Sequence, residues 1–128
     1  MKWSILLAMI FCHILDDYKL QNPLLCELKQ KSWWNKHPNM SYRYRNDYKM
    51  ALAMHGMSWS FMIMLPIMIW LKFDVSVWFV ITWAINARVH SAIDDLKANK
   101  YKLNLVQDQF LHLIQIVITW AVFMIFGG

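Results

Sequence analysis

The sequence predicts an all-α protein of one domain: a four-span transmembrane helical bundle with an interfacial amphipathic segment between spans one and two. Composition is the first reason. Of the 128 residues, 59% are hydrophobic and 16% are charged, whereas soluble domains average about 45–50% apolar and about 25% charged residues. The second reason is that the apolar residues form four blocks. The third is size, because a soluble domain this short could not bury so much apolar surface.

Each apolar block predicts one membrane span. A helix needs about 20 apolar residues to cross the hydrocarbon core, and blocks two to four reach that length. The first block is shorter, so its helix must continue through Asp16 and Asp17. It also lacks a small-residue cleavage site, and we therefore expect it to be retained rather than removed as a signal peptide. The predicted spans are roughly residues 2–18, 50–71, 75–94 and 103–126.

Residues 19–49 form the long polar stretch of the chain and are predicted to lie on an anionic membrane face. Basic residues dominate its charge, and it mixes them with Trp33, Trp34, Tyr42, Tyr44 and Tyr48. This mixture is typical of the membrane–water interface. It also occurs in nucleic-acid-binding segments, but beside four spans the membrane interpretation is preferred and no nucleic-acid partner is expected. His37-Pro38-Asn39 is predicted to be a turn.

The polar connections predict the topology. Lys72-Phe73-Asp74 is a short hairpin, so spans two and three should be antiparallel neighbours. The two basic connections, residues 19–49 and 95–104, fall on one side of a four-span bundle. The positive-inside rule assigns that side to the cytoplasm. Both termini are then expected on the opposite side of the membrane.

Ionisable residues within the spans recur four residues apart, a spacing that keeps both members of a pair on one helix face. Span two adds His55. Ionisable groups are costly in hydrocarbon and usually face the bundle interior. In the four-span topology all seven residues fall at one depth, near the cytoplasmic side, which predicts a single polar layer. The three pairs are His13–Asp17, His90–Asp94 and Asp108–His112.

Four histidines and three aspartates in one layer predict a metal centre that binds one or two divalent transition-metal ions. Imidazole and carboxylate ligands suit zinc, the first choice, and also manganese or iron. Helical bundles hold two-metal sites with such ligands. Lys97 and Gln109 are predicted to orient the substrate or the metal ligands, and Asp16 is an alternative to Asp17. A metal-free proton relay and polar contacts between helices remain the other interpretations.

The order of these motifs resembles a family of small phage and bacterial membrane proteins that carries only a domain-of-unknown-function label. The family pattern is HxxxD, then LQ, a lone His in the second helix, HxxxDxxK and DQxxH. The resemblance implies the inner membrane of a bacterium or of a phage-infected cell. Together with the positive-inside rule, this location puts both termini in the periplasm. A looser resemblance, to membrane-bound metal-dependent hydrolases, rests on intramembrane His and acidic residues alone. The matching residues are His13, Asp17, Leu20, Gln21, His55, His90, Asp94, Lys97, Asp108, Gln109 and His112.

The preferred functional hypothesis is a membrane-embedded metal-dependent hydrolase that acts on a phosphate or acyl ester at the membrane surface. The expected partners are the lipid bilayer and a lipid or lipid-linked substrate, and a homo-oligomer is left open. One alternative is a metal-ion or proton transporter or channel. The outer halves of spans two and three, residues 59–70 and 75–84, carry no ionisable group, which disfavours a continuous path. Another is a non-enzymatic phage protein that acts on a host membrane partner through residues 33–48.

Overall fold

The structure, a computed structural model, describes residues 1–36 and 43–126. Within these ranges the protein is all-helical, without a strand, so the all-α part of the predicted fold class is confirmed. A π-helical segment, Leu15–Leu20, continues the first helix. The predicted turn at 37–39 and Tyr42 lie outside the described residues. The helices are α1 (Lys2–Ile14), α2 (Pro23–Leu28), α3 (Lys31–Asn35), α4 (Asp47–Trp70), α5 (Val77–Ala98) and α6 (Leu105–Phe126).

Each predicted span coincides with a helix, but the helices differ in how well they suit a membrane. In the part of the chain that the structure describes, α4 and α6 are long and apolar enough to cross a bilayer. Helix α1 has 13 residues, and α5 carries four charged residues in its second half. Four membrane crossings and the orientation of the bundle stay predictions.

The four long helices pack as a bundle, in which α4 contacts α5, α1 contacts α4 and α6, and α5 contacts α6. Helices α4 and α5 approach most closely at Gly56. A Cβ atom there would lie 2.5 Å from the backbone oxygen of Ala87 and would overlap the hydroxyl of Ser91. Only glycine permits this approach, which brings the rings of His55 and His90 to a centroid separation of 5.0 Å.

A reciprocal cap fixes the start of α6. The N–H of Gln107 donates to the side-chain oxygen of Asn104 at 2.9 Å, and the N–H of Asn104 donates to the side chain of Gln107 at 3.1 Å. This capping box satisfies backbone donors that the first turn of a helix leaves unpaired. Asp108 and His112 therefore lie on the first two turns of α6.

The interior of the bundle is apolar at one end and polar at the other. Between them, the Asn86 amide donates to the Thr119 hydroxyl at 3.0 Å, and the Gln115 amide donates to the Asn86 side chain at 2.8 Å. This network extends about one turn beyond His90 on α5 and about two turns beyond His112 on α6. The apolar end is built from Ile5, Met9, Trp59, Ile63, Met64, Ile67, Phe79, Ile116 and Phe123.

The predicted interfacial segment, residues 19–49, contains the short helices α2 and α3, and α2 packs against α4. The Trp34 indole N–H donates to the carbonyl of Leu28 at 2.9 Å. This contact folds α3 back over the end of α2. Lys29, directly after α2, points inward and is only 7% exposed.

Candidate metal centre

The polar end of the bundle brings the predicted metal ligands together. Two groups of three side chains have candidate ligand atoms within 4.8 Å of one another. These groups could hold a metal ion. Asp108 adjoins the second group through His112, and His13 lies beside Asp17. The first group is Asp17, His55 and His90, and the second is His90, Asp94 and His112.

Several of these side chains present buried polar atoms that no neighbour satisfies. His55 Nε2 is 3.4 Å from Asp17 Oδ1, and His112 Nε2 is 3.5 Å from Asp108 Oδ1. These distances exceed ordinary hydrogen bonds, but they match the edge, about 3.4 Å, of a tetrahedron of ligands around zinc. Burying unpaired polar atoms is costly, and one cation would satisfy several of them. The atoms without a hydrogen-bond partner among the described residues include Asp17 Oδ1, His55 Nε2, His90 Nε2, Asp108 Oδ1 and His112 Nε2.

Asp94 is the carboxylate that connects the histidines. Its Oδ1 lies 3.4 Å from His112 Nε2, whereas its Oδ2 lies 3.6 Å from His55 Nε2 and 3.7 Å from His90 Nε2. A carboxylate whose two oxygens face different imidazoles can serve either one ion or two, as in carboxylate-rich bundle sites. The geometry thus fits both ion counts that the sequence predicted.

The π-helical segment turns two consecutive aspartates inward. The N–H of Gln21, directly after this segment, donates to the carbonyl of Asp16, five residues back, at 3.1 Å. Asp16 Oδ1 accepts from the Ser58 hydroxyl at 3.0 Å, and Asp17 faces the cluster. Asp16 Oδ2 instead lies 3.8 Å from Nδ1 of His55, the nitrogen that points away from the cluster. Asp17 is therefore the better placed ligand, and Asp16 is placed to orient His55.

His13 lies in the same layer, but both of its ring nitrogens are engaged. The Trp59 indole N–H donates to His13 Nδ1 at 2.8 Å, and His13 Nε2 is 3.0 Å from Gln109 Oε1. Indole is only a donor, so Nδ1 carries the lone pair and Nε2 donates its proton to Gln109. In this tautomer His13 offers no free lone pair, and its predicted role as a ligand would require Trp59 to release it.

Trp59 organises the layer, although the predicted site residues did not include it. It is fully buried and stacks on His90, with ring centroids 4.1 Å apart. His90 Nδ1 in turn lies 3.2 Å from His112 Nδ1, so the Nε2 atoms of both rings remain on the side of Asp94. The signal for Trp59 was its position four residues after His55, on the same helix face.

Lys29 is a second residue of the site that sequence reasoning missed. Its ammonium donates to Asp94 Oδ2 at 2.8 Å. The Asn99 side-chain amide donates to the backbone oxygen of Lys29 at 3.0 Å and ties it to the end of α5. No spacing rule relates Lys29 to Asp94, because the contact depends on how α2 folds back onto the bundle.

The two residues predicted to orient the substrate or the ligands both hold Asp108. The Lys97 ammonium donates to Asp108 Oδ2 at 2.9 Å, and the Gln109 amide donates to the same oxygen at 3.1 Å. Oδ1 is left facing His112. Partial burial lowers the pKa of Lys97, but the hydrogen bond and the charge of Asp108 outweigh it, so the pKa lies above the ordinary lysine value.

A small cavity of about 90 Å³ opens onto this cluster. The lining of the cavity includes three carboxylates of the cluster and three further polar side chains. They are Asp17, Asp94 and Asp108, together with Lys29, Lys97 and Gln109. By this measure the cavity can hold several water molecules, because one water needs about 10–15 Å³. The cluster therefore borders a small cavity whose lining includes the ammonium-bearing side chains of Lys29 and Lys97.

The fold and the site together define an all-helical protein with a buried His/Asp cluster that could hold a metal ion. Comparison with protein-family models, with curated proteins and with solved structures found no match. The resemblance carried by the HxxxD and DQxxH motifs therefore stays a prediction, and functional inference depends on the geometry of the cluster.

Proposed function

We propose that the protein is a membrane-embedded metal-dependent hydrolase that acts on an ester at the membrane surface. One observation carries the proposal. Buried imidazole and carboxylate atoms without hydrogen-bond partners among the described residues converge at the spacing of metal ligands. Buried polar atoms are normally satisfied, so such a convergence calls for a cation.

A membrane location is supported by the outer faces of the long helices. Besides the length and apolarity of α4 and α6, large apolar side chains are exposed along each long helix. Monomeric soluble proteins rarely expose apolar patches above a few hundred Å², whereas a bilayer covers such faces. We propose that the protein lies in a bacterial inner membrane and that its two basic connections face the cytoplasm. Examples of these exposed side chains are Leu7, Phe11, Phe61, Ile69, Trp78, Ile85, Phe110, Ile118 and Ile125.

The proposed division of labour follows the contacts. Asp17, His55, His90, Asp94 and His112 bind the ion or ions, with Asp108 beside them. A bound ion would lower the pKa of a water molecule, so that hydroxide would be available as the nucleophile near neutral pH. The outer contacts hold these ligands in place and shape the cavity. They are provided by Asp16, Trp59, Lys97 and Gln109.

A phosphate ester is the better substrate class than an acyl ester. The ammonium groups of Lys29 and Lys97 both border the cavity, 2.8 Å from Asp94 and 2.9 Å from Asp108. Ammonium groups bind phosphate oxygens well, and an uncharged acyl ester needs no such pair. Hydrolysis adds water across the P–O bond and releases an alcohol and a phosphate.

Transport of a metal ion or a proton is the second candidate. The network of Asn86, Gln115 and Thr119 continues the polar layer deeper into the bundle and favours it. Beyond that network the described core is apolar, with Ile67 fully buried and Phe123 nearly so. Charged species cross apolar cores poorly, which supports hydrolysis over transit. The non-enzymatic alternative would act through residues 33–48, part of which lies outside the described residues.

The test begins with elemental mass spectrometry of the detergent-purified protein after incubation with zinc, manganese or iron. We expect one or two equivalents in the wild type and none in the His90→Ala, His112→Ala double variant. His37→Ala, which removes the histidine outside the predicted set, is the control and should keep its metal. Release of phosphate and of fatty acid from lipid esters is then compared. Absence of bound metal in a folded wild type would overturn the proposal.

A further inference from the structure

A second and larger cavity lies between α4 and α5, away from the His/Asp cluster. Its volume is about 700 Å³, within the range of about 300–1,000 Å³ that is common for small-molecule sites. None of the side chains around it belongs to the predicted metal ligands. Its wall is largely apolar and built from small or flexible side chains, among them Leu52, Ala53, Met57, Ala84, Ala87 and Leu96.

The rim of this α4–α5 groove is positively charged. Lys49, Arg88 and Lys100 line it, against a single acidic residue, Asp95. Asp95 is already paired, because it lies 3.4 Å from the Lys100 ammonium and accepts from Asn99 at 2.8 Å. Among the described residues, Lys49 and Arg88 form no ion pair, although the Lys49 ammonium lies 6.0 Å from the centroid of the Tyr48 ring. The groove therefore carries two positive charges without an acidic partner.

Arg88 is the unusual member of this rim. It is exposed near the middle of α5, between the exposed apolar residues Ile85 and Val89. A cation on an apolar helix face is costly unless an anion accompanies it. Its planar guanidinium can donate two parallel hydrogen bonds to one phosphate group. Arg88 is two residues before His90 and therefore lies near the depth of the polar layer. Lys49 lies near the start of α4, and Lys100 lies just after the end of α5.

We propose that the α4–α5 groove binds one anionic phospholipid, whose phosphate contacts Arg88 and Lys49 and whose acyl chain lies along Ala53 and Ala84. An apolar groove that carries two cations without an acidic partner is complementary to a molecule with a long apolar tail and a negative head. A second copy of the chain fits less well. In a two-fold contact each surface meets itself, and the same two cations would face each other. This binding site is independent of the proposed hydrolysis.

The experiment is native mass spectrometry of the delipidated protein in detergent, with added phosphatidylglycerol or phosphatidylcholine of identical acyl chains. We expect a one-to-one adduct with phosphatidylglycerol and about tenfold weaker binding of phosphatidylcholine. Phosphatidylcholine carries the same phosphate, but its quaternary ammonium group adds a positive charge that Lys49 and Arg88 repel. The Lys49→Gln, Arg88→Gln double variant should lose this preference. Lys19→Gln, Lys102→Gln changes the charge equally outside the groove and should retain it.

A second variant tests the apolar part separately. Ala84→Trp fills the groove without changing a charge and should reduce binding of both lipids. Equal binding of the two lipids by the wild type would overturn the proposal, as would undiminished phosphatidylglycerol binding in the Lys49/Arg88 variant. A dimer in place of the lipid adduct would also overturn it. Metal content, measured on the same samples, reports separately on the hydrolase proposal.

Discussion

Asp16 Oδ2 lies 3.8 Å from His55 Nδ1, on the edge of the imidazole that points away from the cluster. This distance is longer than a hydrogen bond, but the negative charge of the carboxylate at this edge favours the tautomer with a proton on Nδ1. The lone pair of His55 is then on Nε2, which lies 3.4 Å from Asp17 and 3.6 Å from Asp94. Metal-binding histidines commonly have such an orienting partner. Asp16 thus orients the His55 ring, and Asp17 lies beside His55 as a second candidate ligand.

Asp16→Asn should therefore weaken zinc binding by about 10–100-fold, the usual effect of losing an orienting partner. Asp17→Asn should weaken it more, because it removes a ligand. Affinity is measured by competition with a chromogenic chelator in detergent. Asp95→Asn, a change of the same kind outside the cluster, should bind zinc as the wild type does. Wild-type affinity in Asp16→Asn would show that Asp16 has no orienting role.

Gly56→Ala should push α4 away from α5, because the new methyl group would lie 2.5 Å from the backbone oxygen of Ala87. We expect a loss of about 1–3 kcal/mol in stability, typical of overpacking, together with weaker metal binding, since His55 and His90 lie on the two separated helices. Thermal unfolding with and without zinc measures both effects. Met54→Ala, on the exposed side of α4, should cost much less. A stable Gly56→Ala protein with normal zinc affinity would contradict the close approach.

Lys29→Gln should affect metal and phosphate in opposite directions. The Lys29 ammonium lies 2.8 Å from Asp94 Oδ2, so its removal takes a competing positive charge away from that carboxylate and zinc should bind more tightly. Inhibition by orthophosphate should weaken, because one of the two ammonium groups of the cavity is lost. Lys31→Gln, on the exposed side of α3, is the control. Weaker zinc binding in Lys29→Gln would mean that Lys29 instead supports the position of Asp94.

The Lys97–Asp108 contact predicts a definite pH dependence. The pKa of Lys97 is raised above the ordinary value of 10.5, so its stabilising contribution is fully present below that value. It is lost as the pH rises through the pKa of the folded protein. The difference in Tm between the wild type and Lys97→Gln should stay constant from neutral pH to about pH 9.5 and shrink above 10.5.

Lys102→Gln is the control for this series, because Lys102 is exposed and has no ion pair among the described residues. Its Tm difference from the wild type should be small at every pH. A Lys97→Gln difference that shrinks already between pH 7 and 9 would contradict the assignment. It would indicate that another group in the layer titrates with it.

The helices and the polar layer could be predicted because both follow from periodicity. Apolar blocks of helical length gave α4, α5 and α6, and pairs such as His90 and Asp94 share a face whatever the tertiary structure. The short first block was also predicted to continue past Asp16. What periodicity could not supply was the π-helical hydrogen bonding that turns both Asp16 and Asp17 inward, because a regular α-helix separates consecutive residues by about 100°.

Contacts across the fold account for the other omissions. Lys29 reaches Asp94 because α2 folds back onto the bundle, and nothing in the spacing of a basic interfacial segment indicates that return. The tautomer of His13 depends on Trp59, a residue on another helix, so its engagement could not be deduced from the HxxxD motif. Sequence thus predicted which residue types meet, and tertiary structure decides which of their atoms remain free.

The clustered side chains come from every long helix: Asp17 follows α1, His55 is on α4, His90 is on α5 and His112 is on α6. Because the two groups share His90, ions held in both would tie together positions as far apart as Asp17 and His112, which are 95 residues apart in the chain. Metal binding and folding are coupled in such sites. A chain still being synthesised would lack a complete centre until its last helix is in place. Metal would then bind tightly only after all four long helices have packed together. Removal of the metal by a chelator should destabilise these four helices together.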